Sequence, residues 1–218
     1  MATDIDICNL ALARLGDRAT VSSINPPEGS AQADHCARFY PIARDAALSV
    51  HPWRFATVRK RLAKLSAEPP GSGTENYFAL PSDCLQLISV QPEAGVVNGA
   101  QLIPVTYVIE QVNGQRAILA NAPSIWCKYV TASTPPSLFS AEFADALAWL
   151  LASYLAGPLI TGSSGSTVGG QMYQMYQQIM TLAIAADVHQ LRESDVAQDP
   201  FAGDAFSIST GAGRYGIL

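Results

Sequence analysis

The chemistry most readily read from this chain is electrostatic. Arg54, Arg59, Lys60, Arg61 and Lys64 put five of its thirteen basic residues into "HPWRFATVRKRLAKL", residues 51–65, although the chain carries a formal charge of −5. Read as a helix, Arg54, Val58 and Arg61 or Leu62 share a stripe; read as a strand, Arg59 and Arg61 share one face and Lys60 takes the other. Either way several unit charges fall within one Debye length, about 8–10 Å. Such a cluster suits phosphates without reading bases, or seats against acidic groups on a neighbouring subunit.

Other reactive residue types do not assemble into a site. His35 and Cys36 are adjacent, so on a helix they point about 100° apart and do not converge as base and nucleophile. His189 and Glu193 stand one helical turn apart, but two ligands make no metal site, and the pair suits a surface salt bridge. "TGSSGSTVGG", residues 161–170, has no lysine and follows a helical pattern, so it is a flexible connector and not a phosphate loop. Cys8, Cys36, Cys84 and Cys127 are widely spaced without a C-x-x-C pair, and are expected to pack as small hydrophobes in a reducing compartment. No catalytic, metal or cofactor-binding residue is nominated, no cofactor is called for, and the chain is not expected to be an enzyme.

The elements that must carry the basic stretch follow from periodicity. Thr3 caps a first helix, Asp4 and Asp6 suit its N-terminus, and Gly16 stops it; Ile5, Cys8, Leu12 and Leu15 form its apolar face. A second helical pattern runs from about Ser30 to Val50, with Cys36, Phe39, Ala43 and Ala47 inward, and Pro41 inside it predicts a kink near Phe39 or a break into two pieces. Residues 52–137 change character. "CLQLISVQP", "QLIPVTYVIE", "QRAILANA" and "SIWCKYVTA" read as strands, with a hairpin turn at Asn113-Gly114, another turn over Glu93 to Gly99, and a surface loop at "SAEPPGSGTEN".

From Pro136 the chain returns to helix. Ser140 and Glu142 open a long apolar helix that ends at Gly157-Pro158, and a fourth helix aligns Met172, Tyr176, Ile179, Ala183 and Ala186. Residues 143–161 are long enough to cross a bilayer, but Asp145, Ser153, Tyr154 and Gly157-Pro158 favour a buried helix, and no membrane partner is expected. The first residues are acidic where a signal peptide is basic, so no targeting segment is expected.

The expected fold is α+β: a four-helix bundle built from both chain ends (1–51 and 138–194), an inserted antiparallel β module (52–137) and an extended C-terminal arm (195–218). Trp53 and Phe55 sit where the helical and β parts meet and are expected to anchor that junction. Phe201, Phe206, Ile208, Tyr215 and Ile217 recur along the polar arm, as in a segment that orders against a partner. With 49% apolar and only 14% charged residues, the chain is expected to bury surface against copies of itself.

Four stretches in order carry a resemblance. "ICNLALARLGD" (7–17), "INPPEGS" (24–30), "ADHCARFYPIARDAALSVHPWRFA" (33–56) and "YFALPSDCLQLISV" (77–90) resemble the tail tubular protein A family of short-tailed bacteriophages. The likeness covers the first ninety residues by motif and the remainder by layout. It implies a structural virion protein, a head-to-tail adaptor located at the head–tail interface of the virion and made in the host cytoplasm. The implied partners are copies of itself in a ring of twelve, a portal protein, a tail nozzle protein, and double-stranded DNA passing through the lumen without sequence recognition. Under this resemblance Arg54 to Lys64 line or flank the channel, or seat on an acidic portal or nozzle surface. A different class of function, a helical regulatory module that binds DNA through residues 54–64, would use the same charges.

Overall fold

The computed structural model describes residues 2–67, 69, 75–92, 105–160, 162 and 164–189. Among them the chain is a mixed α and β protein with four helices and two three-stranded antiparallel sheets. The arm with Phe201, Phe206, Ile208, Tyr215 and Ile217, the turn over Glu93 to Gly99, and much of the 66–76 loop lie outside the described residues.

Helix α1 (Asp4–Arg14) begins at a reciprocal cap: the Thr3 hydroxyl accepts from the Asp6 N–H at 3.1 Å, and the Asp6 carboxylate accepts from the Thr3 N–H at 2.9 Å. Two donors that a helix start otherwise orphans are thereby satisfied. Gly16, at φ 78°, closes the other end. The buried face is Ile7, Cys8, Ala11 and Leu12, with Ile5 and Leu15 only partly covered, so the stripe is rotated from the expected one. Arg14 explains the rotation. It continues the Ile7–Ala11 line and pairs with Asp145 of the third helix, while its guanidinium stacks 4.0 Å from the Trp149 ring centroid.

Helix α2 (Ala31–Leu48) is capped by Ser30 and runs unbroken through Pro41, so the expected division into two pieces does not occur. A mid-helix proline costs about 3 kcal/mol, and burial of Tyr40, Ala43, Ala47 and Leu48 around it offsets that. Helix α3 (Ala141–Leu159), capped by Ser140, is the central element: α1, α2 and α4 all pack on it. Phe143, Leu147, Leu151 and Leu155 are fully buried.

Helix α4 (Ser164–His189) corrects the sequence reading, because most of the expected 161–170 connector is its first two turns. Glycine is a poor helix former, but here it permits close approach. A Cβ at Gly165 would lie 2.8 Å from the Ile160 carbonyl oxygen and 3.1 Å from that of Ala156; one at Gly169 would lie 3.1 Å from the Ser153 carbonyl. The backbone of α4 therefore lies directly on the end of α3. Further along, Tyr176, Met180, Ala183 and Asp187 form the buried stripe, and Ala186 is only half-buried.

The β part comprises β1 (Thr57–Arg61), β2 (Asn76–Ala79), β3 (Cys84–Pro92), β4 (Tyr107–Val112), β5 (Gln115–Ala120) and β6 (Ile125–Thr131). They form two sheets, ordered β1-β6-β3 and β2-β5-β4. Asn113 (φ 51°) and Gly114 (φ 80°) make the expected tight turn between β4 and β5. A second core fills the space with Phe78, Ile118, Ile125, Cys127 and Tyr129. Val130, Trp53 and Ala56 belong instead to the helical core, so that core reaches into the segment 52–137.

Candidate interaction surface: a basic edge strand and a clamped junction

The chain leaves α2 through Ser49 and turns sharply at His51-Pro52-Trp53. The Trp53 N–H donates to the His51 carbonyl at 2.8 Å, and the indole Nε1–H donates to the Ala47 carbonyl at 3.1 Å. The Trp53 ring is fully buried, edge-on to Phe143 at 4.9 Å and stacked with Phe55 at 5.6 Å. Phe55 in turn meets Phe139 at 5.6 Å and Phe143 at 5.1 Å. Four aromatic rings thus join the end of α2, the entry to β1 and the start of α3.

A carboxylate that sequence reasoning missed clamps the same turn. Asp187, buried near the end of α4, meets His51 Nε2 through Oδ2 at 3.0 Å and accepts from the Arg54 N–H through Oδ1 at 3.3 Å. Its signal was present in the sequence, since an acid at 187 continues the apolar line 176, 180, 183 where a hydrophobe is the default.

Strand β1 resolves the basic stretch as a strand, and the five charges separate. Arg54 lies in the 3-10 turn before the strand, within the junction. Arg59 and Arg61 share one face and Lys60 takes the other, because β1 pairs with β6 as Arg59↔Lys128, Lys60↔Cys127 and Arg61↔Trp126. Lys64 follows the strand in an isolated bridge to Phe78. At about 3.3 Å per residue, Arg59 to Arg61 spans about 7 Å, within one Debye length, while Arg54 precedes the strand and Lys64 follows it.

The register adds two residues the sequence reading had not singled out. Lys128 directly opposes Arg59, and Trp126, 42% exposed, opposes Arg61. Like charges facing each other across strands are unfavourable unless a partner neutralises them, and neither Arg59 nor Lys128 has an ion pair among the described residues. Alternation in "IWCKYVT" carries the signal: 125, 127 and 129 are buried while 126 is exposed and 128 is half-buried.

On the Lys60 side, an open groove of about 340 Å³ runs between β1 and the 133–138 segment, lined by Phe55, Val58, Tyr129 and Leu138 among others. Asp83 closes one wall, accepting from the Thr131 hydroxyl at 2.6 Å and the Tyr129 hydroxyl at 3.3 Å. The Thr131 hydrogen bond holds the Asp83 carboxyl below its ordinary value. Burial, and then the Asp83 charge, push the Tyr129 phenol up to about 12, so it stays a proton donor. Both groups are held in place by this network and it ties the start of β3 to the end of β6.

Among the described residues no group of three His, Cys, Asp or Glu could hold a metal, and no helix is long and apolar enough to cross a membrane. Cys36 lies against Cys8 across α1 and α2, and both are buried. His189 ends α4, and Glu193 lies outside the described residues. No family model matches the chain, and no curated protein matches its sequence.

Proposed function

We propose that this chain is a structural adaptor of the tail tubular protein A kind, not an enzyme: a virion subunit that closes with copies of itself into a ring of twelve between a portal and a tail nozzle. In this reading α1 to α4 act as one four-helix bundle with the β part projecting from it. Duplex DNA passes through the lumen without base recognition, and residues 195–218 serve as a docking arm.

The observation that carries the reading is the junction. The stretches that resemble the family supply Cys8, Cys36, Tyr40, Trp53 and Asp83, and four of these meet in the helical core while Asp83 ties the β part together. Motifs spread over residues 7–90 thus pack the helical core, brace the β part, and through Trp53 meet where the two join. That arrangement suits a subunit whose partners are other proteins.

Mass measurement tests it. With adaptor-free, portal-bearing heads, the full chain is expected to assemble as a ring that cosediments with the heads, and truncation after Ala197 is expected to abolish stable docking. A chain that stays monomeric on such heads overturns the reading. The exposed Trp126 beside Arg61 and Lys128 favours one second reading, a DNA-binding regulatory module. That reading gains if the free chain binds duplex tightly at physiological salt with sequence preference.

A further inference from the structure

The two sheets have four lateral edges, and among the described residues three of them are covered, distorted or charged. Residues 63–65 cover β2, with the Leu65 N–H donating to the Tyr77 carbonyl at 2.8 Å and the Ala79 N–H to the Ala63 carbonyl at 2.9 Å. Edge strand β3 carries two register shifts, ends on Pro92, and packs Leu85 and Ile88 against the helical core. Edge strand β1 carries exposed Arg59, Lys60 and Arg61. Each of these features discourages unwanted strand pairing.

Among the described residues, edge strand β4 has none of them. Tyr107, Val108 and Ile109 are exposed at 36%, 52% and 44%, and Glu110 is its only charged residue. A regular six-residue apolar edge of this kind is a template for another strand.

We propose that β4 of one copy of this chain adds to β1 of a second copy, joining the two β parts edge to edge. Charge selects this pairing over the alternatives. Two β1 edges would bring three cations against three, and two β4 edges, each with Glu110 as its one charged residue, would set no opposite charges across the seam. Setting β1 against β4 places Lys60 opposite Glu110. Alternation then fixes the rest: Val58 faces Val112 if the strands run antiparallel, or Val108 if parallel, and in both cases an arginine faces Ile109. Glu110 accepts from the Tyr77 hydroxyl through Oε2 at 2.9 Å, which leaves Oε1 for Lys60 of the second copy. Arginine stems from the second copy cover Ile109 and Tyr107.

The two joined surfaces differ, so every copy offers one of each and the series closes only as a ring or continues as a filament. The inference deepens the adaptor reading and rests on its ring. It is tested on the full chain, mixed in equal parts as nitrogen-15-labelled and unlabelled protein, with a carbodiimide that joins a lysine to a carboxylate in contact. A Lys60–Glu110 link between a heavy and a light chain is expected, and Glu110→Gln is expected to remove it.

In sedimentation velocity, Glu110→Lys is expected to weaken self-association about tenfold or more, and Lys60→Glu in the same chain to restore most of it. Absence of the mixed-isotope link, including in a chain that stays monomeric, overturns the inference, as does a Glu110→Lys chain that assembles like the parent. Rings on portal-bearing heads that ignore these changes remove this interface and leave the adaptor reading standing. A persistent link with no ring on portals does the reverse.

Discussion

The helical and β regions each enclose a closed core, Leu151 fully buried in one and Phe78 in the other, but they treat their outer surfaces differently. The central helix α3 is covered by three neighbours, and α4 approaches it so closely that two glycines are needed at the crossing. The β region leaves three cations on one edge and three apolar side chains on another. The helices also expose Leu10, Ile42, Tyr173 and Leu182, no two of them consecutive, whereas β4 sets three such side chains in succession on one edge. Under the proposed function, that difference puts the interaction surface on the sheets.

The largest expected effect breaks the helical side. Leu151→Asp buries an unpaired charge in α3 and is expected to cost about 4 kcal/mol or more, leaving little soluble folded protein; circular dichroism and soluble yield measure it. A soluble, fully helical variant would mean that the helices are not one packed unit. Trp53→Ala is expected to cost about 3–5 kcal/mol while helix content stays near normal, because the loss falls between the regions. Urea unfolding is expected to separate into two transitions, and normal docking on portals by this variant would end the anchor role.

Smaller changes sharpen the contrast. Asp187→Ala leaves His51 and the Arg54 N–H without their acceptor, an expected loss of about 1–3 kcal/mol that hydrogen exchange should report at the end of α4. Changing Arg59, Lys60 and Arg61 together to Gln is expected to shift stability by less than about 1 kcal/mol, yet reduce docking or DNA retention. A large loss of stability there would show that the edge cations serve the fold.

The smallest effect concerns acid. The Asp83 carboxyl lies below its ordinary value in the folded state, so its contribution is fully present above about pH 4 and is lost as pH falls through the lowered value. Asp83→Asn is expected to flatten that acid limb of the stability curve. An unchanged limb would exclude Asp83 as its source.

Legibility in the sequence followed the same divide. The openings of α1 at Thr3 and α3 at Ser140, the Asn113-Gly114 turn and strand β3 were readable because each depends on a few neighbouring residues. Strand β2 went unread, and β1 was left between helix and strand, because their partners are β5 and β6, far along the chain. The start of α4 was misread for a related reason. Its Gly-Ser composition favours a loop locally, and only the approach to α3 rewards helix there. The candidate surface was half legible: alternation divided Arg59 and Arg61 from Lys60, but Lys128, Trp126 and Asp187 enter only through pairing and packing.

The four cysteines are shared two to each core: Cys8 and Cys36 in the helical one, Cys84 and Cys127 in the β one. The hydrogen bond with Cys36 and then burial push the Cys8 thiol up; burial raises Cys84 and takes Cys127 up to about 11. The Cys8 hydrogen bond lowers the Cys36 thiol instead, so burial is what bars alkylating reagents from all four, and a label enters either core chiefly while that core is open. The native chain therefore carries two built-in clocks. Alkylation rates at positions 8 and 36 time the breathing of the helices, those at 84 and 127 time the sheets, and assembly onto a partner should slow the second clock far more than the first.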